Sequence, residues 1–212
     1  MKTYFLQRNK TLGCWSFDLM PGRGFCPAWD SEPNSTCRFC YAQQYRGNTG
    51  LVKNARMKRT QRWMNLSPEK KAETMVREIG CKRYIRLFSS GDFLSLKDIQ
   101  TWSVITKLLP ETRFWVSARS WLCGRAWVNA LAKLDSSPNV CVRLSAHSID
   151  KFGDLMRIPR FCRSVVSKSG KGCPKQVSGL SCVKSGCFAC WDSSVFTITY
   201  RLHGYRLKEK SL

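Results

Sequence analysis

Residues 83–117, RYIRLFSSGDFLSLKDIQTWSVITKLLPETRFWVS, contain one complete unit of the plan on which the chain is built. Arg83–Phe88 is a short apolar, β-rich run, and Thr112–Ser117 is another. Between them Ser95–Leu109 reads as a helix closed by Pro110, because a proline cannot continue the backbone hydrogen-bond ladder. Strand, helix, strand is the unit of a parallel sheet. The alternation extends both ways. Upstream, Cys14–Met20 reads as a strand. Ser67 is the N-cap of a helix with Pro68 in its first turn and Gly80 just past its end. Downstream, Trp121–Leu134 is helical up to the turn cluster Ser136-Ser137-Pro138-Asn139, and Val140–Leu144, Cys162–Ser167 and Ser194–Leu202 read as strands. The expectation is an α/β protein of about six mostly parallel strands, too few for a complete eight-stranded barrel. A partial (β/α) barrel or an open sheet fits, with function at the carboxyl ends of the strands.

The chain of 212 residues is 43% hydrophobic and 24% charged, a globular composition with room for a sizeable core. Residues 1–167 are expected to form the partial barrel with its cysteine loop. Residues 168–212 are expected to form a Cys-rich metal-binding segment and the final strand, since Ser167–Gly186 is too rich in Ser, Gly and Lys to fold by packing. No apolar run approaches the roughly 20 residues of a membrane span. The start, Met1–Arg8, is too short in its apolar part for a secretory signal, so a cytoplasmic protein is expected.

Lys and Arg number 36 against 14 Asp and Glu, a formal charge of +22. Such an excess favours a polyanionic partner, because each neutralised phosphate releases counterions. Nucleic acid is expected rather than a membrane. Lys53, Arg56, Lys58, Arg59 and Arg62, with Trp63 beside them, are the densest basic stretch. Arg119, Trp121 and Arg125 repeat the mixture. The plainer reading makes these tryptophans core residues.

The 12 cysteines fall into two groups and some singles. Cys14, Cys81, Cys123, Cys141 and Cys162 lie in apolar or strand-like surroundings and are expected to be buried and inert. Cys26 and the Cys37-Arg38-Phe39-Cys40 pair follow the first predicted strand. A two-residue gap lets both thiolates face one metal. Three ligands without an obvious local fourth suit a [4Fe-4S] cluster with one open iron; a zinc knuckle completed from elsewhere is the alternative. Cys173, Cys182, Cys187 and Cys190 can form a complete tetrathiolate site, either zinc or a second [4Fe-4S] cluster. In a different arrangement Cys37, Cys40, Cys187 and Cys190 share one zinc. His147 and His203 are further possible ligands or lining residues, though a lone histidine near a strand end is more often simply hydrogen-bonded. After the strand at residues 83–88, Gly91 permits tight backbone geometry, and Asp92 is either an acceptor for a ligand ammonium group or the N-cap of the next helix.

The stretch from Ser16 to Arg62, with PGRGFCP, CRFCYA and VKNARMKR, resembles the gene product 88 family of phage proteins. The resemblance continues through Arg86–Phe93, Ser136–Ser145, Cys173-Pro174, Cys187–Trp191 and His203. More remotely, Cys26, Cys37 and Cys40 resemble the cluster cysteines of radical SAM enzymes, with Phe39 as the aromatic residue before the last one. The first gap departs from that pattern, at ten residues instead of three. The resemblance implies S-adenosylmethionine as a cofactor, with Ser90, Gly91 and Asp92 lining its site. The function expected is an iron–sulfur protein of phage or mobile-element type that binds or modifies nucleic acid. The alternative is a non-catalytic Fe–S or zinc regulator that binds nucleic acid on the same scaffold.

Overall fold

The computed structural model describes residues 4–43, 49–151, 153–158, 160–169, 173, 176 and 178–202. Seven strands form one sheet in the order β1-β2-β3-β4-β5-β6-β7. They are β1 (Leu6–Asn9), β2 (Cys14–Phe17), β3 (Tyr84–Leu87), β4 (Arg113–Ala118), β5 (Val140–Ser145), β6 (Cys162–Ser167) and β7 (Thr197–Arg201). β1 is antiparallel to β2, and every later neighbour pair is parallel. The helices are α1 (Gly50–Asn65), α2 (Pro68–Ile79), α3 (Leu96–Lys107), α4 (Arg125–Asp135) and the single turn α5 (Gly153–Met156).

The six predicted strands are all present. β7, the final strand, joins β6 in the same sheet. α2 and α3 begin as their sequences indicate: Ser67 Oγ accepts from the Lys70 amide and Ser95 Oγ from the Asp98 amide. α4 starts later than expected, because residues 120–123 form a 3-10 turn that Gly124 ends at φ 111°.

β1 and α1 were not legible in the sequence. β1 is four residues long and joins β2 through a turn in which Asn9 accepts from the amides of Leu12 and Gly13. α1 turns Arg56, Arg59, Thr60 and Trp63 inward, so its buried face carries two arginines and no apolar stripe. It is held by specific polar contacts. Trp63 Nε1 and Lys71 Nζ both donate to the buried Asp98 carboxylate, at 3.0 and 2.8 Å, which joins α1, α2 and α3 at one point.

Strand pleating sends alternate residues to opposite faces. Ile85, Leu87, Phe114, Val116, Ala118, Val140, Val142 and Leu144 pack with the helices in the main core, around Trp63, Met75, Ile99, Trp102 and Leu131. Arg86, Trp115, Ser117, Cys141, Arg143 and Ser145 take the other face. A second, smaller apolar cluster lies on that face: Leu12, Cys14, Trp115, Cys182, Cys190, Trp191 and Ile198. No helix among the described residues is long and apolar enough to cross a membrane.

Candidate metal centre

The chain leaves β2 at Asp18, a buried carboxylate the sequence reading did not single out. Its Oδ1 accepts from the Ser89 amide at 2.7 Å, Ser89 Oγ at 2.6 Å and the Ser90 amide at 3.1 Å. Asp18 thus ties the end of β2 to the turn after β3. Leu19 and Ser90 complete the junction: the Leu19 amide donates to the Ser90 carbonyl, and Ser90 Oγ donates back to the Leu19 carbonyl at 2.9 Å. Gly91 has φ +83° and a Cβ there would sit 3.0 Å from the Leu19 backbone, so only glycine fits.

Past this junction the segment containing Cys26, Cys37 and Cys40 lies across the carboxyl ends of the parallel strands. One side chain does most of the holding. Arg119, just beyond β4, sends Nη2 to Asp30 Oδ2 at 2.6 Å and to Ser35 Oγ at 2.9 Å. Its Nη1 donates to the carbonyls of Ala146 and His147 and to Thr36 Oγ1, and its Nε to the Ala28 carbonyl. His147, at the end of β5, places Nε2 3.1 Å from the same Asp30 oxygen. It lies just past the strand end, with Asp30 at Nε2 and Ser148 Oγ at Nδ1 as its ring partners. Tyr41 Oη donates to the Ser89 carbonyl and fixes the far end of the loop.

The three thiols are half-buried and unpaired in disulfides. The Gly22 amide donates to Cys26 Sγ at 3.4 Å, as amides do towards cluster sulfurs. Burial, then the nearby Asp92 carboxylate, pushes the Cys26 thiol up to about 12, with Cys40 and Cys37 adding to the rise. Burial also raises Cys37, against the pull of Arg119. Such thiols stay protonated at neutral pH, and a metal cation that replaced the protons would relieve the repulsion. Among the described residues, no three Cys, His, Asp or Glu side chains converge at metal-binding distances. By ligand chemistry the donor set nevertheless fits a thiophilic metal: three soft ligands in one loop, with the Gly22 amide aimed at the Cys26 sulfur.

Ser90, Gly91 and Asp92 border this loop, but each already has a structural task. Asp92 is not the N-cap of α3, a position held by Ser95. Its Oδ2 accepts from the Arg119 and Ser120 amides, both at 2.8 Å, and its Oδ1 from the Phe93 amide and Ser120 Oγ. It caps the 3-10 turn after β4, and through Arg119 it positions the latch. Burial pushes its pKa up to about 6 against those four donors.

The second thiol group lies at the opposite, amino ends of the strands. Cys182 and Cys190 are buried beside Cys14, Trp115 and Ile198, with Cys173 packed against them. The Cys187 amide donates to the Cys182 carbonyl at 2.9 Å. Cys37 and Cys40 therefore keep company with Cys26, and Cys187 and Cys190 with Cys173 and Cys182. Of the five cysteines expected to be inert and buried, Cys14, Cys141 and Cys162 are buried, whereas Cys81 and Cys123 are exposed. His203 lies outside the described residues.

The basic stretch divides in the same way. Lys53, Lys58 and Arg62 are exposed on α1. Arg56 and Arg59 are only 8% exposed; they donate to the Ala42 carbonyl and to Gln7 Oε1, at 3.2 and 2.9 Å. Trp63 is fully buried and cannot stack on a base.

A mostly parallel sheet that carries a thiol loop over its carboxyl ends and a second thiol group at its amino ends defines a class: a cysteine-rich α/β protein with two separate groups of thiols. The gene product 88 family model matches residues 2–192, and the chain belongs to that family. No curated protein and no solved structure matches it.

Proposed function

We propose that this chain is an iron–sulfur protein that binds or modifies nucleic acid, with a radical-SAM-like cluster held by Cys26, Cys37 and Cys40. The observation that carries this reading is the latch: Arg119, Asp30 and His147 fasten the thiol loop over the carboxyl ends of β4 and β5. That end is where parallel α/β sheets present their chemistry. The strictly sequential strand order, with helices packed on one face, is also what a partial (β/α) barrel requires, since an open doubly wound sheet reverses direction. When bound, a cluster with an open iron supplies an electron and a coordination position for a small co-substrate. The protein's own residues then have separate tasks. Arg119 and Asp30 hold the loop shut, Tyr41 fixes its end, and Gly91 brings the β2 and β3 exits together.

The basic surface supports the nucleic-acid half. Its exposed part on α1 is Lys53, Lys58 and Arg62, the last with its guanidinium over the Phe5 ring, within a chain of charge +22.

One observation favours the non-catalytic form of this function. All the acceptor positions of Asp92 used here are filled by backbone and hydroxyl donors, which leaves the carboxylate poorly placed to receive a ligand ammonium group. The experiment that separates the two is anaerobic purification followed by iron and sulfide analysis, a visible spectrum and equilibrium binding of S-adenosylmethionine. A brown protein that binds it and releases 5′-deoxyadenosine on reduction is the catalytic form. A brown protein without that affinity is the non-catalytic one, and colourless protein with stoichiometric zinc overturns the cluster. Affinity for nucleic acid that does not fall with salt overturns the partner.

A further inference from the structure

Two arginines lie on the sheet face opposite the helices with no carboxylate at ion-pair distance among the described residues. Arg143, on β5, is fully buried. Its Nε donates to the Cys190 carbonyl at 3.0 Å, and its Nη2 to the carbonyls of Ala189 and Asp192 at 2.6 and 2.7 Å. Its Nη1 has no partner. Arg86, on β3, lies over the Trp115 ring at 4.2 Å, and its buried Nε is also without a partner. Asp18 lies within electrostatic reach of Arg86, and Asp135 and Asp192 of Arg143, but none forms a direct ion pair with either arginine, so the interior beside these residues can take further negative charge.

The groups next to them are thiols. Cys182 and Cys190 are buried in the same apolar cluster as Trp115 and Trp191, and Cys173 packs against it. Cys187 is joined to Cys182 by a backbone hydrogen bond, and Cys190 Sγ lies 3.2 Å from Tyr200 Oη. None is in a disulfide.

We propose that Cys173, Cys182, Cys187 and Cys190 form a closed four-thiolate metal centre under the amino ends of the strands, with the guanidiniums of Arg86 and Arg143 as its counter-charge. Four thiolates around a zinc ion or around a dicationic four-iron cluster leave two negative charges in either case. Two cations face that dianion. Cys190, Cys187, Cys173 and Arg86 all lie within electrostatic reach of the Cys182 sulfur. Arg143 and Arg86 both lie within electrostatic reach of the Cys190 sulfur. With four protein ligands the centre has no open position, so its role is to anchor the polar segment that precedes β7. The proposal stands independently of the cluster at Cys26, Cys37 and Cys40.

The test compares metal and sulfide content of the full anaerobically purified chain with its C187S/C190S and C37S/C40S variants. C187S/C190S loses one centre, read as one zinc or as about four irons with their sulfides. C37S/C40S keeps that centre. Equal content in wild type and C187S/C190S overturns the proposal, whereas equal content in wild type and C37S/C40S overturns only the function proposed above. A second measurement needs no variant. In the native chain, alkylation read by mass spectrometry should spare the half-buried Cys173 and Cys187 until a chelator is added, while the exposed Cys81 and Cys123 react throughout. Reaction of Cys173 and Cys187 as fast as Cys81 before chelation overturns the site. For the counter-charge, R143Q should release metal to chelator about tenfold faster, with R143K nearer to wild type. An unchanged release rate in R143Q overturns that part.

Discussion

The two thiol groups occupy opposite ends of the same parallel strands and are held there by different forces. At the carboxyl ends, Cys26, Cys37 and Cys40 ride on a loop fastened by charge-assisted hydrogen bonds from Arg119 to Asp30 and to backbone carbonyls. At the amino ends, Cys173, Cys182, Cys187 and Cys190 are set in an apolar and aromatic bed. Tyr84 stacks on Phe188 at 4.5 Å, and Trp191 donates through Nε1 to the Ile85 carbonyl. A polar latch is sensitive to pH and single charges, and leaves its loop half-exposed. The amino-end group combines its apolar bed with hydrogen bonds from Arg143, and it buries Cys182 and Cys190 while Cys173 and Cys187 stay half-buried. The contrast is between a loop held by a charged latch at one end of the sheet and thiols bedded among aromatic side chains at the other.

The largest expected effect comes from cutting each anchor. Arg119→Met and Arg143→Met should each lower stability by about 3–5 kcal/mol in urea denaturation, since each leaves buried partners unsatisfied. Hydrogen exchange should separate them, with residues 21–43 opening in the first variant and residues 182–192 in the second. The same opening in both variants would break the contrast. Gly91→Ala comes next, at about 2–3 kcal/mol, from a left-handed backbone and a Cβ pressed on Leu19. Its damage should stay at the carboxyl end.

Acid sharpens the comparison within that end. Burial tends to raise Asp30, but hydrogen bonds from Ser35 and Arg119 and the Arg119 charge outweigh it and hold the carboxyl below its ordinary range. The stability Asp30 contributes is therefore present above the ordinary carboxylate pKa of about 3.9 and is lost as pH falls through its lowered value. Asp92 has the opposite sign. Its pKa of about 6 means that its contribution is complete below the ordinary carboxylate range and is lost as pH rises through about 6. Stability-against-pH curves for Asp30→Asn and Asp92→Asn, each subtracted from wild type, should thus slope in opposite directions. Matching slopes would remove the latch's electrostatic origin.

The smallest effect on the fold is expected at the exposed lysines. Lys53→Ala with Lys58→Ala should leave stability within about 0.5 kcal/mol, while nucleic-acid affinity weakens and its salt slope becomes shallower by about 1–2. Arg56→Ala and Arg59→Ala should do the reverse, because both side chains are used inside the protein. Fluorescence titration at several salt concentrations, beside a denaturation curve, reads both quantities.

Much of the sheet was legible because parallel strands buried on a helix-covered face carry plain apolar runs, as Ile85, Leu87, Val140 and Val142 do. α1 escaped because its inward residues are Arg56, Arg59 and Thr60, where a hydrophobic period would signal a helix. β1 escaped because four residues are too few to show alternation. In the candidate site the cysteines were legible from spacing alone, a local property. Asp18, Arg119 and Arg143 were not, because their meaning comes from partners 71, 89 and 47 residues away.

The sequence by itself determined the strand–helix alternation, the excess of positive charge and the grouping of thiols, since each depends on residues close together in the chain. Only the tertiary structure decided which end of the sheet each thiol group takes, that Asp92 caps a turn, and which basic side chains remain outside. Those outcomes depend on which distant donor meets which acceptor once the strands are in register, and spacing along the chain carries no record of that.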